Sequence, residues 1–481
     1  MTHSSTSKTV VGPPTATRRG HRAPRLGAWW TYASSVLTGA CVLLIVAAAL
    51  RDGAMLPAVK HPTSAVATGL AMTWGVLYLV RRLKVGHQVI PRAWLVSIGL
   101  LVAGAAWALM SALWSLDPVT SIWEGLTWVG AVGFLVAGRT LPESTRFGRT
   151  IIPVVLVLLG TVFGIVSLVS YAQGSDMWVI SVGGVRHLVG PLGYANAFAG
   201  LLIVTLCASA VLVLDLFNRT RAQGRRLAGT AALAIAVAVQ VAAVALTRSR
   251  GALAALAAAA VLGLFFMAAR QIRWSARDRN TRGRAAASIV ALLLLAAVVT
   301  VATMEIRSLD LSIQSTEQHR VQLWQSAVDT AQERPTLGWG AGTFYEAYSE
   351  HRIGPPSRFA HNLFLQHWVE TGIIGCVLLA AILIALLWPR WKMPWRRSFA
   401  DRRWWLWIGA TSLVFQNMID LSLYFPALFW LFFLVAGSLF REPATDAQRS
   451  PTPPETQARP KGASRRSSGS KKNRSQSRRA V

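Results

Sequence analysis

The sequence predicts an all-α protein that crosses a membrane many times, and three observations lead to this fold class. Hydrophobic residues make up 53% of the 481 residues and charged residues only 14%, against roughly 25% in soluble domains. Apolar windows of about 17–25 residues recur along the chain, each long enough to cross a hydrocarbon core. Lys and Arg collect in alternate segments between these windows. Because backbone amides need partners in lipid, the windows are expected to be helices.

About twelve of these windows are expected to span the membrane. In chain order they lie near residues 29–50, 64–80, 93–114, 121–137, 150–171, 195–216, 229–246, 251–269, 286–304, 366–388, 404–419 and 424–440.

The basic residues predict the orientation of these spans. Of the 49 Lys and Arg, 39 lie in alternate segments that begin with the leader and end with the tail. The positive-inside rule therefore predicts a multi-pass membrane protein with both termini in the cytoplasm. The net charge of +29 is then mostly a topology signal, and nucleic acid is not needed as a partner.

This orientation predicts five regions along the chain. They are a basic cytoplasmic leader (1–28), helices one to nine (29–304), an external loop (305–361), helices ten to twelve (362–440) and a cytoplasmic tail (441–481). The tail is rich in Pro, Ser, Lys and Arg and is expected to be disordered. It is interpreted either as a segment attracted to anionic membrane lipids or as a solvated tail.

The long external loop is expected to be ordered. The stretch STEQHRVQLWQSAVDTAQERP places Val321, Trp324, Val328 and Ala331 at spacings of three and four, which predicts an amphipathic helix. The following TLGWGAGTF carries three glycines that permit a tight turn. A loop of this kind is expected to pack back on the membrane helices.

Eight polar residues on the predicted external side could carry chemistry. They are Arg186, Asn196, Arg248, Arg250, Arg320, Arg358, His361 and Asn362. Five of them also have a purely structural interpretation. Arg248 and Arg250 could be snorkelling side chains, Arg320 could be a solvated helix residue, His361 could be a surface residue, and Asn362 could be a helix cap.

Taken together, these residues favour chemistry on a phosphate. External arginines oppose the positive-inside bias, and their forked donors suit phosphate oxygens. His361 can accept a proton from a hydroxyl near neutral pH. His361 and His367 are six residues apart, which puts them on different faces of a helix and disfavours a shared metal ion. No Asp-x-Asp pair, Walker loop or other cofactor motif is found, so no cofactor is expected.

Three motifs resemble one known family. They are SRG at residues 249–251, RVQLWQSAVDTAQERPTLGWGAGTF, and AHNLFLQHWVETGIIG. In sequence and order they resemble the O-antigen ligase and polymerase-like membrane proteins of bacterial polysaccharide assembly. Two departures concern Ala195, where the family often has Pro, and Gln416, where a His is expected near Asp420.

The resemblance implies a fold similar to the GT-C membrane glycosyltransferases and a reaction without metal or nucleotide sugar. Arg250 and Arg320 would hold the diphosphate of a polyprenyl-linked glycan, and His361 would activate the acceptor hydroxyl. Attack on the anomeric carbon would invert its configuration. The implied partners are this donor, a glycan or lipid acceptor and membrane lipids.

Three functions stay open on the sequence alone. The first is a glycan ligase or polymerase, which share these motifs. The second is a transporter or flippase for a lipid-linked glycan, which is disfavoured because few charges are expected within the spans and no internal repeat is found. The third is a non-catalytic partner in an assembly complex.

Overall fold

A computed structural model describes residues 23–85, 91–140, 146–182, 184–219, 223–274, 311–388 and 402–440, most of them in helices. The first eight helices are α1 (Ala23–Ala49), α2 (Pro57–Val85), α3 (Arg92–Met110), α4 (Pro118–Thr140), α5 (Arg146–Ala172), α6 (Ala195–Arg219), α7 (Gln223–Thr247) and α8 (Arg250–Trp274). They are followed by α9 (Leu311–Glu333), α10 (Phe344–Ala347), α11 (Leu363–Leu387), α12 (Arg402–Gln416) and α13 (Pro426–Ser438).

The predicted multi-pass helical class is confirmed. Eight of the described helices, α1 to α7 and α11, are long and apolar enough to cross a membrane, and α8 and α13 contain shorter apolar helices. Eleven of the twelve predicted windows coincide with described helices. The ninth, 286–304, lies outside the described residues, as do most of the leader and the whole tail. The number of twelve spans therefore stays a prediction.

The helices around α4 pack through small residues. Helix α4 contacts α2, α3 and α13. A Cβ added at Gly133 would lie 2.7 Å from the Cα of Ala71, and one at Gly138 would lie 2.0 Å from the carbonyl oxygen of Leu434. Glycine thus permits close backbone approach, as is common between membrane helices. Helix α13 is buried on nearly all sides, so it is a central helix.

A second group of helices forms around α6. Helix α6 packs against α5 and α7, while α12 packs against both α6 and α8. Helix α12 also contacts α13. The connection between α12 and α13, residues 417–425, therefore lies where the two groups meet. We call it the central turn.

Helix α11 is interrupted in its N-terminal half by the loop before it. Gly372 has non-helical dihedrals (φ +69°, ψ −174°). The freed backbone groups bond to the loop: the Ile373 N–H donates to the Pro335 carbonyl (2.9 Å), and the Gly340 N–H donates to the Glu370 carbonyl (2.8 Å). A break in an apolar helix is tolerated where protein satisfies its backbone. The loop around residues 335–342 is thus docked into the break.

Two features differ from the expectations. Residues Val179–Val182 (β1) and Val185–Leu188 (β2) form an antiparallel hairpin, although only helices were predicted. In α9 the buried side chains include Leu323, Ala327 and Ala331, whereas Val321 is about half exposed. The helix was predicted correctly, but its buried face is rotated because the small alanines allow close packing on α11.

Candidate functional site

His361 is the residue before the cap of α11, and its backbone is in the left-handed region (φ +51°). Its side chain is 20% exposed, and its Nδ1 lies 3.7 Å from Oδ1 of Asp420, which is too far for a hydrogen bond. That nitrogen is buried and has no hydrogen-bond partner in the described part of the chain. If Nδ1 carries the proton toward the carboxylate, Nε2 is left as the proton acceptor.

Asn362 fixes the start of α11 and joins it to the central turn. Its Oδ1 accepts hydrogen bonds from two backbone N–H groups of the first helical turn, each at 3.0 Å, which is an N-cap. Its Nδ2 donates to the carbonyl of Met418 (2.9 Å), and the Leu363 N–H donates to the carbonyl of Asn417 (2.8 Å). The predicted cap is confirmed, while contact of Asn362 with a substrate stays a prediction.

Asp420 is the buried carboxylate of the site, with 2% of its side chain exposed. Its Oδ1 accepts hydrogen bonds from the Tyr194 hydroxyl (2.8 Å) and the Leu421 N–H (2.9 Å). Nδ2 of Asn196 donates to the Tyr194 hydroxyl (3.1 Å). Gln416 donates to the carbonyl of Asn196 (2.7 Å) and lies 3.4 Å from Oδ2 of Asp420. Asn196 therefore belongs to the network that holds Asp420.

The pKa of Tyr194 is affected by the charges of Asp420 and Arg320. Burial raises the pKa of the Tyr194 phenol well above its ordinary value, and the Asp420 carboxylate raises it further. The hydrogen bond from Asn196 and the positive charge of Arg320 act in the opposite direction. Arg320 thus lies near enough to Tyr194 for its charge to act on the phenol.

Helix α9 carries Arg320 and fixes the loop before His361. Arg320 is partly exposed. Four residues later, and therefore on the same side of the helix, Nε1 of Trp324 donates to the carbonyl of Ala360 (2.9 Å). Helix α9 thus carries Arg320, and its Trp324 bonds directly to the residue that precedes His361.

Arg250 is the first residue of α8, and its side chain is exposed. The hydroxyl of Ser249 accepts a hydrogen bond from the N–H of Ala252 (3.3 Å), so Ser249 caps this helix. A Cβ at Gly251 would lie 3.4 Å from the side chain of Ile419. The SRG motif therefore places Arg250 beside the central turn that also holds Asp420.

Arg186 lies in β2 and is bonded to the protein itself. Its two terminal nitrogens donate to the carbonyls of Tyr171 (2.8 Å) and Ser175 (2.7 Å). The guanidinium also lies over the Tyr171 ring, 4.9 Å from its centroid. These bonds fix the hairpin to the end of α5. A contact between Arg186 and substrate stays a prediction.

Arg248 lies in the turn between α7 and α8, with an exposed side chain and a positive φ of +55°. The ring of His187 in the hairpin approaches the carbonyl of Thr247 (3.4 Å). The hairpin and the turn are therefore neighbours through His187. Arg186, the adjacent residue in the strand, points to the other face of the hairpin, where it bonds to Tyr171 and Ser175.

Four of the eight predicted residues lie around the central turn, namely His361, Asn362, Asn196 and Arg250, and the charge of Arg320 acts on Tyr194 beside it. Arg186 is bonded at the end of α5, Arg248 lies in the turn before Arg250, and Arg358 is exposed in the loop before His361. Sequence reasoning missed Tyr194, assigned no role to Asp420, and treated Gln416 only as a departure from the family. In the described ranges no three His, Cys, Asp or Glu side chains are placed to hold a metal ion.

A second polar cluster lies between α2, α4 and α11. Lys60 forms an ion pair with Glu124. Nδ1 of His367 lies 3.0 Å from the Tyr424 hydroxyl, and Gln366 donates to Glu370 (2.7 Å). A cavity lined in part by Glu124, His367 and Tyr424 lies among them. His367 is therefore part of the helix packing, as its distance from His361 in the sequence indicates.

Comparison with known proteins gives one finding for the chain. Residues 235–380 match the family model described as O-antigen ligase (Wzy_C). No curated protein matches the chain significantly. The matched segment contains Arg248, Arg250, Arg320, His361 and Asn362 and covers less than half of the sequence. The resemblance carried by the three motifs is thus confirmed, and residues 235–380 of the chain are similar to the O-antigen ligase family.

Proposed function

We propose that the protein is a membrane glycosyltransferase of the O-antigen ligase or polymerase type. It transfers or polymerises a glycan linked to a polyprenyl diphosphate, such as undecaprenyl diphosphate, onto an acceptor hydroxyl. The reaction occurs at the external face of the bacterial cytoplasmic membrane, in a GT-C-like fold with about twelve spans. The observation that carries this proposal is the placement of His361 beside the buried Asp420. His361 belongs to the matched segment that also contains Arg250 and Arg320.

In the proposed step His361 acts as the general base. Its Nδ1–H turns toward Asp420, and its Nε2 accepts the proton of the acceptor hydroxyl. The hydroxyl oxygen then forms a bond to the anomeric carbon on the face opposite the diphosphate. The bond from that carbon to the diphosphate oxygen breaks, so the configuration is inverted and polyprenyl diphosphate leaves.

The leaving diphosphate requires positive charge, and we assign this role to arginine. Arg250 and Arg320 come from different helices, α8 and α9, and can approach the diphosphate from two sides. Guanidinium groups donate paired hydrogen bonds to phosphate oxygens and stay protonated during the reaction. A metal ion is not required for this step, so transfer is expected to continue in the presence of a chelator.

The proposed reaction predicts the effect of deleting the gene. Loss of the protein is expected to leave lipid-linked glycan unused in the membrane. Single repeat units would accumulate if the protein is a polymerase, and long unattached chains would accumulate if it is a ligase. Mass spectrometry of the extracted lipid-linked glycan measures this. An unchanged pool would contradict both forms of the proposal.

A transporter for a lipid-linked glycan is a second candidate, favoured by one group of observations. Lys60, Glu124 and Glu370 are charged residues within candidate spans, and α11 is interrupted at Gly372. Buried charges and broken helices are common in transporters. Transfer of glycan to an acceptor by purified protein in detergent, where no membrane separates two sides, would exclude transport as the primary activity.

A further inference from the structure

We propose that Trp324 and Gln366 are positioning residues for His361, an inference that rests on the proposed role of His361 as the base. The two side chains bind both polar backbone groups of Ala360, the residue before His361. They hold His361 in a backbone conformation that is unfavourable by itself, and this fixes the direction of its imidazole.

Ala360 is completely buried, and within the described ranges neither of its backbone groups bonds to another backbone group. Its N–H donates to Oε1 of Gln366 (2.8 Å), and its carbonyl accepts from Nε1 of Trp324 (2.9 Å). Buried backbone groups need partners. Here the two partners come from different helices, α11 and α9. We call this pair of bonds the Ala360 clamp.

The clamp is needed because His361 has an unfavourable backbone conformation. Its φ of +51° is uncommon for a residue with a Cβ and persists only where the surroundings determine it. Ala360 is held on one side by the clamp, and Asn362 is held on the other by Met418. His361 is therefore fixed between two anchored residues, with its Nδ1 toward Asp420.

Gln366 has a fixed orientation of its own. Its Nε2 donates to Oε1 of Glu370 (2.7 Å), so its oxygen is directed toward the Ala360 N–H. Both Gln366 and Glu370 are almost completely buried, and water does not compete for these bonds. The amide is thus a rigid acceptor, as a positioning residue requires.

The other half of the clamp connects the base to the proposed donor site. Trp324 lies one turn after Arg320 on α9. The helix that presents Arg320 to the diphosphate therefore also fixes the loop of His361. We expect loss of the indole N–H to displace the base while the donor still binds.

Purified full-length protein in detergent tests the clamp. The donor is lipid-linked glycan extracted from the deletion strain, and release of polyprenyl diphosphate is the readout. Trp324→Phe removes the N–H but keeps an aromatic ring, and Gln366→Met removes the acceptor at similar size. Each is expected to lower kcat by about tenfold to a hundredfold, as small misplacements of a catalytic group do. The donor KM is expected to change less than about twofold, since no diphosphate ligand is altered.

Trp339→Phe is the matched control, because its indole donates to the carbonyl of Thr330 (3.0 Å) elsewhere in the same loop. Its kcat is expected to equal that of the unaltered protein. Binding of undecaprenyl diphosphate, measured as a shift in the thermal unfolding temperature, reports whether each variant is folded.

Two results would overturn the clamp. One is a kcat for Trp324→Phe and Gln366→Met equal to that of Trp339→Phe. The other is loss of undecaprenyl diphosphate binding in both, which would indicate a general structural role. If His361→Ala retained full transfer, the proposed function would fail instead, so the two failures are distinguishable.

Discussion

At the scale of single residues, the site combines one partly exposed imidazole with one buried carboxylate. His361 is accessible enough to meet an acceptor, whereas Asp420 is shielded and held by Tyr194 and its own turn. In a buried environment the carboxylate acts strongly on its neighbour, because water screens it little. We therefore expect Asp420 to stabilise the imidazolium that forms when His361 accepts a proton.

Replacement of the carboxylate tests this expectation. Asp420→Asn preserves the size of the side chain but removes its negative charge. The variant is expected to lose at least about tenfold in transfer rate, within the range for general base catalysis, while undecaprenyl diphosphate binding is kept. Asp329→Asn, on the exposed side of α9, is the control and should keep the full rate. If the two variants transferred glycan at equal rates, the proposed role of Asp420 in the mechanism would be wrong.

The arginines are expected to act on the donor rather than on the acceptor. Arg250→Ala or Arg320→Ala removes a charged hydrogen-bond donor, worth about 1.5–3 kcal/mol, so the donor KM should rise about tenfold or more. Lysine at either position should restore only part of this, because it lacks the planar fork. Arg352→Ala, exposed in the same loop, is the control. A normal donor KM in both alanine variants would argue against the diphosphate role.

Residue types and spacing predicted part of this site. The cap formed by Asn362 could be predicted because Asn before an apolar run is a common helix start. The partnership of Tyr194 and Asp420 could not, because 226 residues separate them and no local pattern connects them. Gln416 looked like a departure from the family. The structure gives it bonds to Asn196 and a position beside Asp420.

At the scale of secondary-structure elements, the interruption of α11 determines where the loop between α9 and α11 lies. The backbone at Gly372 is not helical. Neighbouring backbone groups of α11 form hydrogen bonds with the segment around residues 335–342 instead of within the helix. The indoles of Trp107 and Trp114 donate to carbonyls on the two sides of this junction. The loop is thus attached to the membrane helices through backbone groups, which makes it rigid.

Gly372→Ala tests how much this junction contributes to stability. A Cβ there would lie 2.0 Å from the Thr336 carbonyl oxygen, at a φ of +69°. The variant is expected to lose more than about 3 kcal/mol, from strain and overpacking together. Gly174→Ala has a similar φ of +71° in open space and should lose only about 1–2 kcal/mol. Unfolding in detergent measures both, and equal losses would contradict a tightly docked loop.

The interruption could not be predicted from sequence, since the window around Gly372 reads as one continuous apolar helix. The hairpin had a visible signal, because two glycines follow VISV, a run rich in β-branched residues, and precede VRHL. Such a pattern is typical of a tight β-turn. In α9 the spacing of three and four residues predicted the helix. It did not predict the buried face, where Ala327 and Ala331 are buried while the larger Val321 is half exposed.

At the scale of the whole molecule, two groups of helices meet at the central turn. Helices α2, α3, α4 and α13 pack on one side, and α5 to α8 with α12 pack on the other. Most of the proposed catalytic and donor-binding residues lie around this junction, so the site depends on both halves of the chain. The family match covers only residues 235–380, whereas Tyr194, Asn196 and Asp420 come from outside it.

The most direct test of the account is glycan transfer by purified protein with His361 replaced. His361→Ala is expected to fold, to bind undecaprenyl diphosphate normally, and to lose at least about a hundredfold in transfer to the acceptor, because the proton acceptor is missing. His351→Ala, a loop histidine paired with Glu333 (2.9 Å), should transfer at the normal rate. Normal transfer by a folded His361→Ala protein would contradict the assignment of His361 as the base.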